Sequence, residues 1–354
     1  MAQTGTKPVV KETKRKIRAN FERTSRWTKF KLKYLSLNFL GKVVWFIFRL
    51  VLLFGVSYVI LYPFFSKIAS SFMGPEDFVD VTVKLIPKHP TLNTYKQIII
   101  ENNYFKALFN TVILSISCAL IQTFICCMIG YGFAKYKFKG SGLLFMLVVF
   151  TMIVPHQTLE LSMFMKFRFF DIGIGDFGLF ESLGLYDLLQ AKKILPQGTL
   201  QLTNTYWPLL ILSLGGLAFK NGLYIFMMRQ FFRNTPDELE ESAYIDGCGV
   251  FRTFVTIILP LAVPMMITIF LFAFSWQWTD NFYTTTFFSG RSVYTMPKIV
   301  TVPGTLDTDY AGGNLFTAAI RNTSGILIIA PLVVVYLFCQ RYLIQGIERS
   351  GITG

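Results

Sequence analysis

Residues that could catalyse a reaction or bind a metal are few and scattered in this sequence of 354 residues. The two histidines, His89 and His156, are far apart and form no cluster with cysteines, so no metal site is predicted. The five cysteines lie mostly in apolar stretches without paired spacing, which predicts no disulfide framework. The sequence shows no Ser/His/Asp or Cys/His set and no glycine-rich phosphate loop. It therefore predicts neither catalysis nor a cofactor bound by this chain.

Acidic side chains concentrate instead in one loop, residues 229–256, which separates two apolar stretches. The five acids are Asp237, Glu238, Glu240, Glu241 and Asp246. Two interpretations remain open for this charge run. It is a solvated helical hairpin, or it is a short lever that a soluble partner pushes against the membrane.

The residues of this loop carry signals of helix initiation and termination. Thr235 stands as an N-cap before Pro236, and Glu238 completes a capping box three residues later. Gly247 suits a left-handed stop. The pattern predicts a helix over 236–246, about 16 Å long at 1.5 Å per residue and too short to span a bilayer.

The composition around this loop is that of an integral membrane protein. Hydrophobic residues make up 53% of the chain and charged residues only 15%, whereas soluble domains average roughly 25% charged. A soluble globular enzyme and a disordered chain are both excluded. The predicted fold is all-α and polytopic, with a membrane domain over 43–345 and six transmembrane helices. The spans are expected at 43–65, 107–129, 141–165, 207–228, 257–279 and 322–340, with kinks or helix ends at Pro155, Pro260, Pro264 and Pro331.

The placement of Lys and Arg predicts that both termini are cytoplasmic. The terminal segments and the loops predicted on their side of the membrane contain 20 basic residues, whereas the loops on the opposite side contain 12. Residues 1–42 contain 12 of these 20 basic residues and only two acidic residues. Within them, residues 29–37 alternate bases with apolar residues, which predicts an interfacial helix on the inner leaflet. Nothing else in the chain favours nucleic-acid binding.

Polar and aromatic residues inside or at the end of predicted spans are candidates for a substrate path. The seven candidates are Asn221, Tyr224, Trp276, Gln277, Trp278, Asp280 and Asn281. Rings can stack on the apolar face of a solute while amides and carboxylates bind its hydroxyls. The alternative is an interfacial aromatic belt and amides that join helices. His156 and Glu160 are interpreted as polar groups satisfied at a kinked helix end.

The outer loop over 166–206 is long, and its residues 177–189 predict a short amphipathic helix. Three roles remain open for this helix: it rests on the membrane surface, meets an extracellular partner or caps the path.

The loop motif resembles the signature loop of the membrane subunits of ATP-binding-cassette importers. That signature is Glu-Ala-Ala, then a glycine, then Ile-x-Leu-Pro at fixed spacing. Here it reads Glu241-Ser242-Ala243, Gly247 and Ile257-Ile258-Leu259-Pro260, with Ser242 as the one departure. Arg229–Phe232 and the tail Gln340–Gly346 are similar to the carbohydrate-uptake branch that includes the second permease of maltose systems. The resemblance extends over residues 43–354.

This resemblance implies a permease subunit of a sugar importer in a bacterial cell membrane. The implied partners are a second permease, two ATPase subunits that bind ATP and Mg²⁺, and an extracellular binding protein. The residues implied to couple this chain to the ATPase are Glu241, Ser242, Ala243, Asp246, Gly247, Leu259 and Pro260. The tail 346–354 is expected to reach the ATPase. Two alternatives remain, namely a related permease for a non-sugar solute such as a peptide, and a membrane scaffold without transport.

Overall fold

A computed structural model describes most of the chain. Its described residues are 27, 37–170, 173–174, 177–178, 201–288 and 293–351. Only the backbone is described for 37–40, 173–174, 177–178 and 342–351. The predictions for residues 1–26, for most of 29–37 and 177–189, and for the last residues of the tail lie outside the described residues.

Helices dominate the described residues, and the only strands among them form one two-residue antiparallel pair. The α-helices are α1 Leu37–Ser71, α2 Asn93–Glu101, α3 Tyr104–Lys135, α4 Ser141–Ile153, α5 Glu160–Arg168, α6 Trp207–Leu214, α7 Asn221–Arg233, α8 Glu238–Ile245, α9 Val250–Thr253, α10 Leu259–Trp278, α11 Phe282–Phe287 and α12 Gly313–Gly351. Short 3₁₀ segments cover Pro75–Phe78, His156–Leu159 and Met296–Ile299, and a π turn covers Phe254–Ile258. The strands are β1 Gly173–Ile174 and β2 Phe177–Gly178.

Four helical stretches among the described residues are long and apolar enough to cross a membrane. They are Gly41–Ser71, Tyr104–Lys135, Val250–Trp278 and Gly313–Arg341, and they correspond to the predicted first, second, fifth and sixth spans, the fifth ending one residue earlier than predicted. A fifth candidate is a bent pair, Ser141–Ile153 and His156–Arg168. The helical, multi-pass prediction is therefore confirmed, with four or five candidate spans among these residues.

The predicted third span bends sharply at Pro155. Its two helices meet at an angle of 97°. Proline lacks a backbone N–H and disfavours helical geometry at the preceding residue. Val154 accordingly takes an extended conformation, with ψ 119°.

The segment predicted as the fourth span is two helices rather than one. α6 ends at Leu214 and α7 begins at Asn221, and between them Gly216 and Lys220 have positive φ angles of 67° and 68°. A left-handed residue cannot continue a right-handed helix. The break therefore places residues 215–220 in irregular structure between the two helices.

The chain divides into two units, residues 1–67 and 68–354. In the second unit the core forms where α3, α7, α10 and α12 pack. Buried side chains there include Tyr131, Met228, Met265 and Trp278. At Gly130 a Cβ would lie 2.5 Å from the Cβ of Met228. A glycine is thus required for α3 and α7 to approach so closely, as small residues allow in membrane bundles.

Candidate functional site

The acidic loop forms a short helix, α8, whose start differs from the prediction. α8 begins at Glu238 and ends at Ile245, two residues later and one residue earlier than predicted. The capping box is wrong, because the Thr235 hydroxyl donates to the Phe231 carbonyl at 3.2 Å and no side chain caps the helix. Gly247 is confirmed as the left-handed stop, with φ 80°. Open space surrounds it, so backbone conformation alone requires glycine there.

Lys135, the last residue of α3, holds the start of this loop. Its side chain is only 7% exposed, and its ammonium lies 2.7 Å from the Thr235 carbonyl oxygen and 2.5 Å from Asp237 Oδ1. The Glu240 carboxylate lies 3.8 Å away and also accepts a hydrogen bond from the Tyr131 hydroxyl at 3.3 Å. The hydrogen bond from Lys135 lowers the pKa of Asp237. This network explains the failed cap, because the ammonium organises the turn that a capping box would otherwise stabilise.

An aromatic cluster packs against the buried side of the same junction. The Tyr131 ring lies 5.4 Å from that of Phe232 and 4.7 Å from that of Phe254. Ala243, on the inner face of α8, is 3% exposed, and its carbonyl accepts the Cys248 N–H at 2.9 Å. α8 is thus attached to α3 through Glu240 and packs against the π turn that precedes α10.

The outer face of α8 and of the following turn is exposed. Glu241, Ser242, Asp246 and Gly247 all lie on this surface. Large apolar side chains stand beside them, namely Leu239, Tyr244, Ile245, Val250 and Phe251, with Ile245 86% exposed. An apolar patch rimmed by carboxylates is typical of a protein interface rather than of an isolated hairpin.

The loop continues into α10 through the π turn. Leu259 is half-buried against the main core, and the following Pro260 stands in the first turn of α10. The loop is therefore joined rigidly to a candidate membrane span at its second end as well.

A cavity of about 200 Å³ lies at the other end of α10, beside the bend at Pro155. Its polar and aromatic lining residues are Gln122, His156, Gln157, Phe219, Trp276, Gln277, Thr279, Asp280, Asn281, Phe282 and Tyr283. A larger groove of about 680 Å³ adjoins it and shares His156, Gln157, Ala218 and Phe219 with it. Four of the seven predicted path candidates therefore line one cavity.

The side chains of this cavity differ in how far their hydrogen bonds are satisfied. The His156 Nδ1 lies 2.7 Å from the Tyr283 hydroxyl. The Asp280 carboxylate accepts the N–H groups of Tyr283 and Thr284, at 3.3 and 3.1 Å, at the start of α11. The buried amide nitrogen of Gln277 has no hydrogen-bond partner among the described residues. A polar ligand is the kind of group that would satisfy it.

The remaining path candidates lie elsewhere. Asn221 and Tyr224 are 1% exposed in the core and line neither cavity, and Trp278 donates its indole N–H to the Ile328 carbonyl at 2.9 Å. A path role for Asn221 and Tyr224 stays a prediction.

The sequence predicts no ligand role for His156, and it does not identify Phe219 or Tyr283, which also line this cavity. The hydrogen bond between His156 and Tyr283 fits the interpretation of His156 as a satisfied group. His156 also lines the cavity, a position that this interpretation does not predict. The signal that was available was Pro155, because a histidine beside a break in an apolar span faces an interior more often than lipid.

Comparisons with known proteins match nearly the whole chain. It is 26% identical over 302 residues to the arabinooligosaccharides transport system permease protein AraQ of Halalkalibacterium halodurans, covering 84% of this chain and 93% of that protein. It is 26% identical over 316 residues to the polygalacturonan/rhamnogalacturonan transport system permease protein YtcP of Bacillus subtilis, covering 87% and 97%. Each of these relatives is named as a permease of a transport system.

The fold is also that of a solved transporter. The crystal structure of a bacterial ABC transporter involved in the import of the acidic polysaccharide alginate matches with a TM-score of 0.60 and 19% identity, covering 85% of this chain and 97% of the matched chain. Residues 127–349 match the family described as binding-protein-dependent transport system inner membrane component. These residues contain α8, the junction at Lys135 and most of the cavity lining. The chain belongs to this family of binding-protein-dependent transport system inner membrane components and is a transport subunit rather than an enzyme.

Proposed function

We propose that this chain is a permease subunit of an ATP-driven importer of oligosaccharides. The observation that carries the sugar assignment is the cavity, where the exposed ring of Trp276 stands beside the unpaired amide of Gln277. An aromatic wall with a few polar groups is what binds a sugar, because the ring contacts its apolar face and the polar groups its hydroxyls. The names of the oligosaccharide permeases to which the chain is similar support the same assignment.

The proposed topology has six membrane crossings and two cytoplasmic termini. α6 and α7 would together form the fourth crossing, because their 8 and 13 residues extend about 31 Å, close to the roughly 30 Å hydrocarbon core. The bent pair α4 and α5 would form the third. The excess of basic residues on the side of the termini supports this orientation.

In this proposal α8 is the element on which an ATPase subunit acts. Its exposed apolar patch supports this role, with Glu241 as a charged contact at its rim. The junction at Lys135 and the continuous path from Gly247 through the π turn to α10 would transmit movement of the ATPase to the membrane helices. ATP and Mg²⁺ would be bound by that partner, and a second permease would complete the path.

Reconstitution tests the proposal. The chain is placed in proteoliposomes with the second permease, the ATPase and the binding protein, and uptake of labelled oligosaccharides and of peptides is measured together with ATP hydrolysis. We expect uptake and ATPase stimulation with oligosaccharides. Uptake of peptides or amino acids alone, with no sugar imported, would contradict the sugar assignment while leaving the family intact.

A further inference from the structure

Lys220 is a charged residue at the bend between α6 and α7, beside both the cavity and the groove. Its ammonium lies 4.8 Å from the centre of the Phe219 ring and 5.1 Å from that of Trp276. The two rings pack edge to face at 5.3 Å and both line the cavity. The cation therefore stands over the aromatic wall against which a sugar would rest.

The position of Lys220 in the chain makes this charge costly. α7 has 13 residues, so Lys220 lies about 20 Å from the helix end that leads into the acidic loop, within the thickness of an apolar core of roughly 30 Å. A charged side chain at that depth is expected to serve a function. Its backbone is also in the left-handed region, with φ 68°, which a residue other than glycine adopts at a free-energy cost.

No carboxylate in the described part of the chain neutralises this charge. None of the ion pairs among the described residues involves Lys220. The charged and titratable groups that line the two cavities are His156, Lys220, Asp280 and Tyr283. Asp280 is engaged by the N–H groups of Tyr283 and Thr284, so its carboxylate is directed to the start of α11.

We infer that Lys220 forms a subsite for a carboxylate and that the oligosaccharide transported by this chain carries uronate residues. This inference rests on the proposed import function. One sugar ring occupies the cavity against Trp276, and its carboxylate lies in the adjoining groove within reach of the Lys220 ammonium. The ammonium gains a charge-assisted contact that it lacks in the unliganded chain.

The test uses pairs of probes that differ only in charge. Trimers of galacturonate, mannuronate and glucuronate are each compared with the neutral trimer made by reducing their carboxyl groups. Uptake is measured in the reconstituted assembly for the wild-type chain, for Lys220→Asn and for Lys220→Arg. Asparagine removes the charge and tolerates the left-handed backbone, and arginine keeps the charge. Because every assembly has the same binding protein, the preference of that protein cancels in the ratio of variant to wild type.

We expect Lys220→Asn to lower uptake of the acidic probes by about tenfold, the size of one charge-assisted hydrogen bond, and Lys220→Arg to retain most of it. Uptake of any neutral probe should change less than twofold. Import of neutral trimers alone, or an equal loss for both members of a pair, would overturn the inference and leave the proposed sugar import standing. Loss of assembly with the second permease in Lys220→Asn would also overturn it, since the lysine would then pair with that subunit. Absence of any sugar uptake by the wild type would overturn both.

Discussion

At the loop junction the buried ammonium of Lys135 has three oxygen partners, whereas beside the cavity the buried amide nitrogen of Gln277 has none among the described residues. The two regions lie near opposite ends of α10, one before its first residue and one at its last turn. A buried charge held by several partners favours a single geometry, and an unpaired polar group favours exchange of a ligand. In the proposed function the first region transmits movement and the second contacts the substrate.

The largest effect should come from breaking the paired region at its centre. Lys135→Met removes all three contacts of that ammonium at once and leaves the Glu240 carboxylate buried. We expect a loss of about 3 kcal/mol in the free energy of unfolding, the lower end of what removing one partner of a buried ion pair costs. Thermal unfolding in detergent and uptake in proteoliposomes measure it. Lys135→Arg is the matched control and should retain both thermal stability and uptake. If Lys135→Met unfolds and transports as the wild type does, the network does not stabilise the junction.

A second change separates docking from stability. Glu241→Lys reverses an exposed charge at the rim of the apolar patch, so the melting temperature should not change. We expect sugar uptake to fall about tenfold, because like charges would then face each other at the ATPase contact. Asp309→Lys, also at an exposed carboxylate but in the segment before α12, serves as the control. If both variants transport equally well, α8 is not the docking element.

A third change addresses the cavity. Trp276→Ala removes a ring that is 49% exposed, so little stability should be lost. The sugar concentration at half-maximal uptake should rise about fivefold, corresponding to roughly 1 kcal/mol for one aromatic contact. Trp207→Ala is the control, since Trp207 is 55% exposed and lines neither cavity. A similar rise in both variants would remove Trp276 from the proposed path.

The smallest effect tests the start of α8. A capping threonine contributes about 1 kcal/mol, but the Thr235 hydroxyl donates to the carbonyl of Phe231 in the preceding helix. Such a contact contributes little to a helix. Thr235→Val should therefore change the free energy of unfolding by about 0.5 kcal/mol or less. A loss of 1 kcal/mol or more in the free energy of unfolding would instead support the capping box that the sequence predicts.

The sequence predicts what local pattern controls and misses what distant partners control. Apolar length identifies the helices that correspond to four of the predicted spans, and glycine at 247 identifies a left-handed stop. The cap at Thr235 is mistaken because its hydroxyl donates to the Phe231 carbonyl, while Lys135, on another helix, holds the turn. The break between α6 and α7 had a local signal in Gly215-Gly216, which the apolar residues around it obscured.

The cavity was only partly predictable for a related reason. Trp276, Gln277, Asp280 and Asn281 are neighbours in sequence and could be chosen together. Their companions come from three other segments, at Gln122, His156 and Phe219, and only the fold brings these segments together. The positive φ at Lys220 is likewise a property of the packed bend rather than of any local motif.

The two regions are separated most directly by the number of ATP molecules hydrolysed per sugar imported, determined at several sugar concentrations for the wild type, Glu241→Lys and Trp276→Ala. We predict that Glu241→Lys changes this ratio at every concentration, because the ATPase and the membrane helices are no longer coupled. Trp276→Ala should leave the ratio at saturating sugar unchanged and shift only the half-maximal concentration. Identical behaviour of the two variants would contradict the division of the chain into a transmitting junction and a substrate cavity.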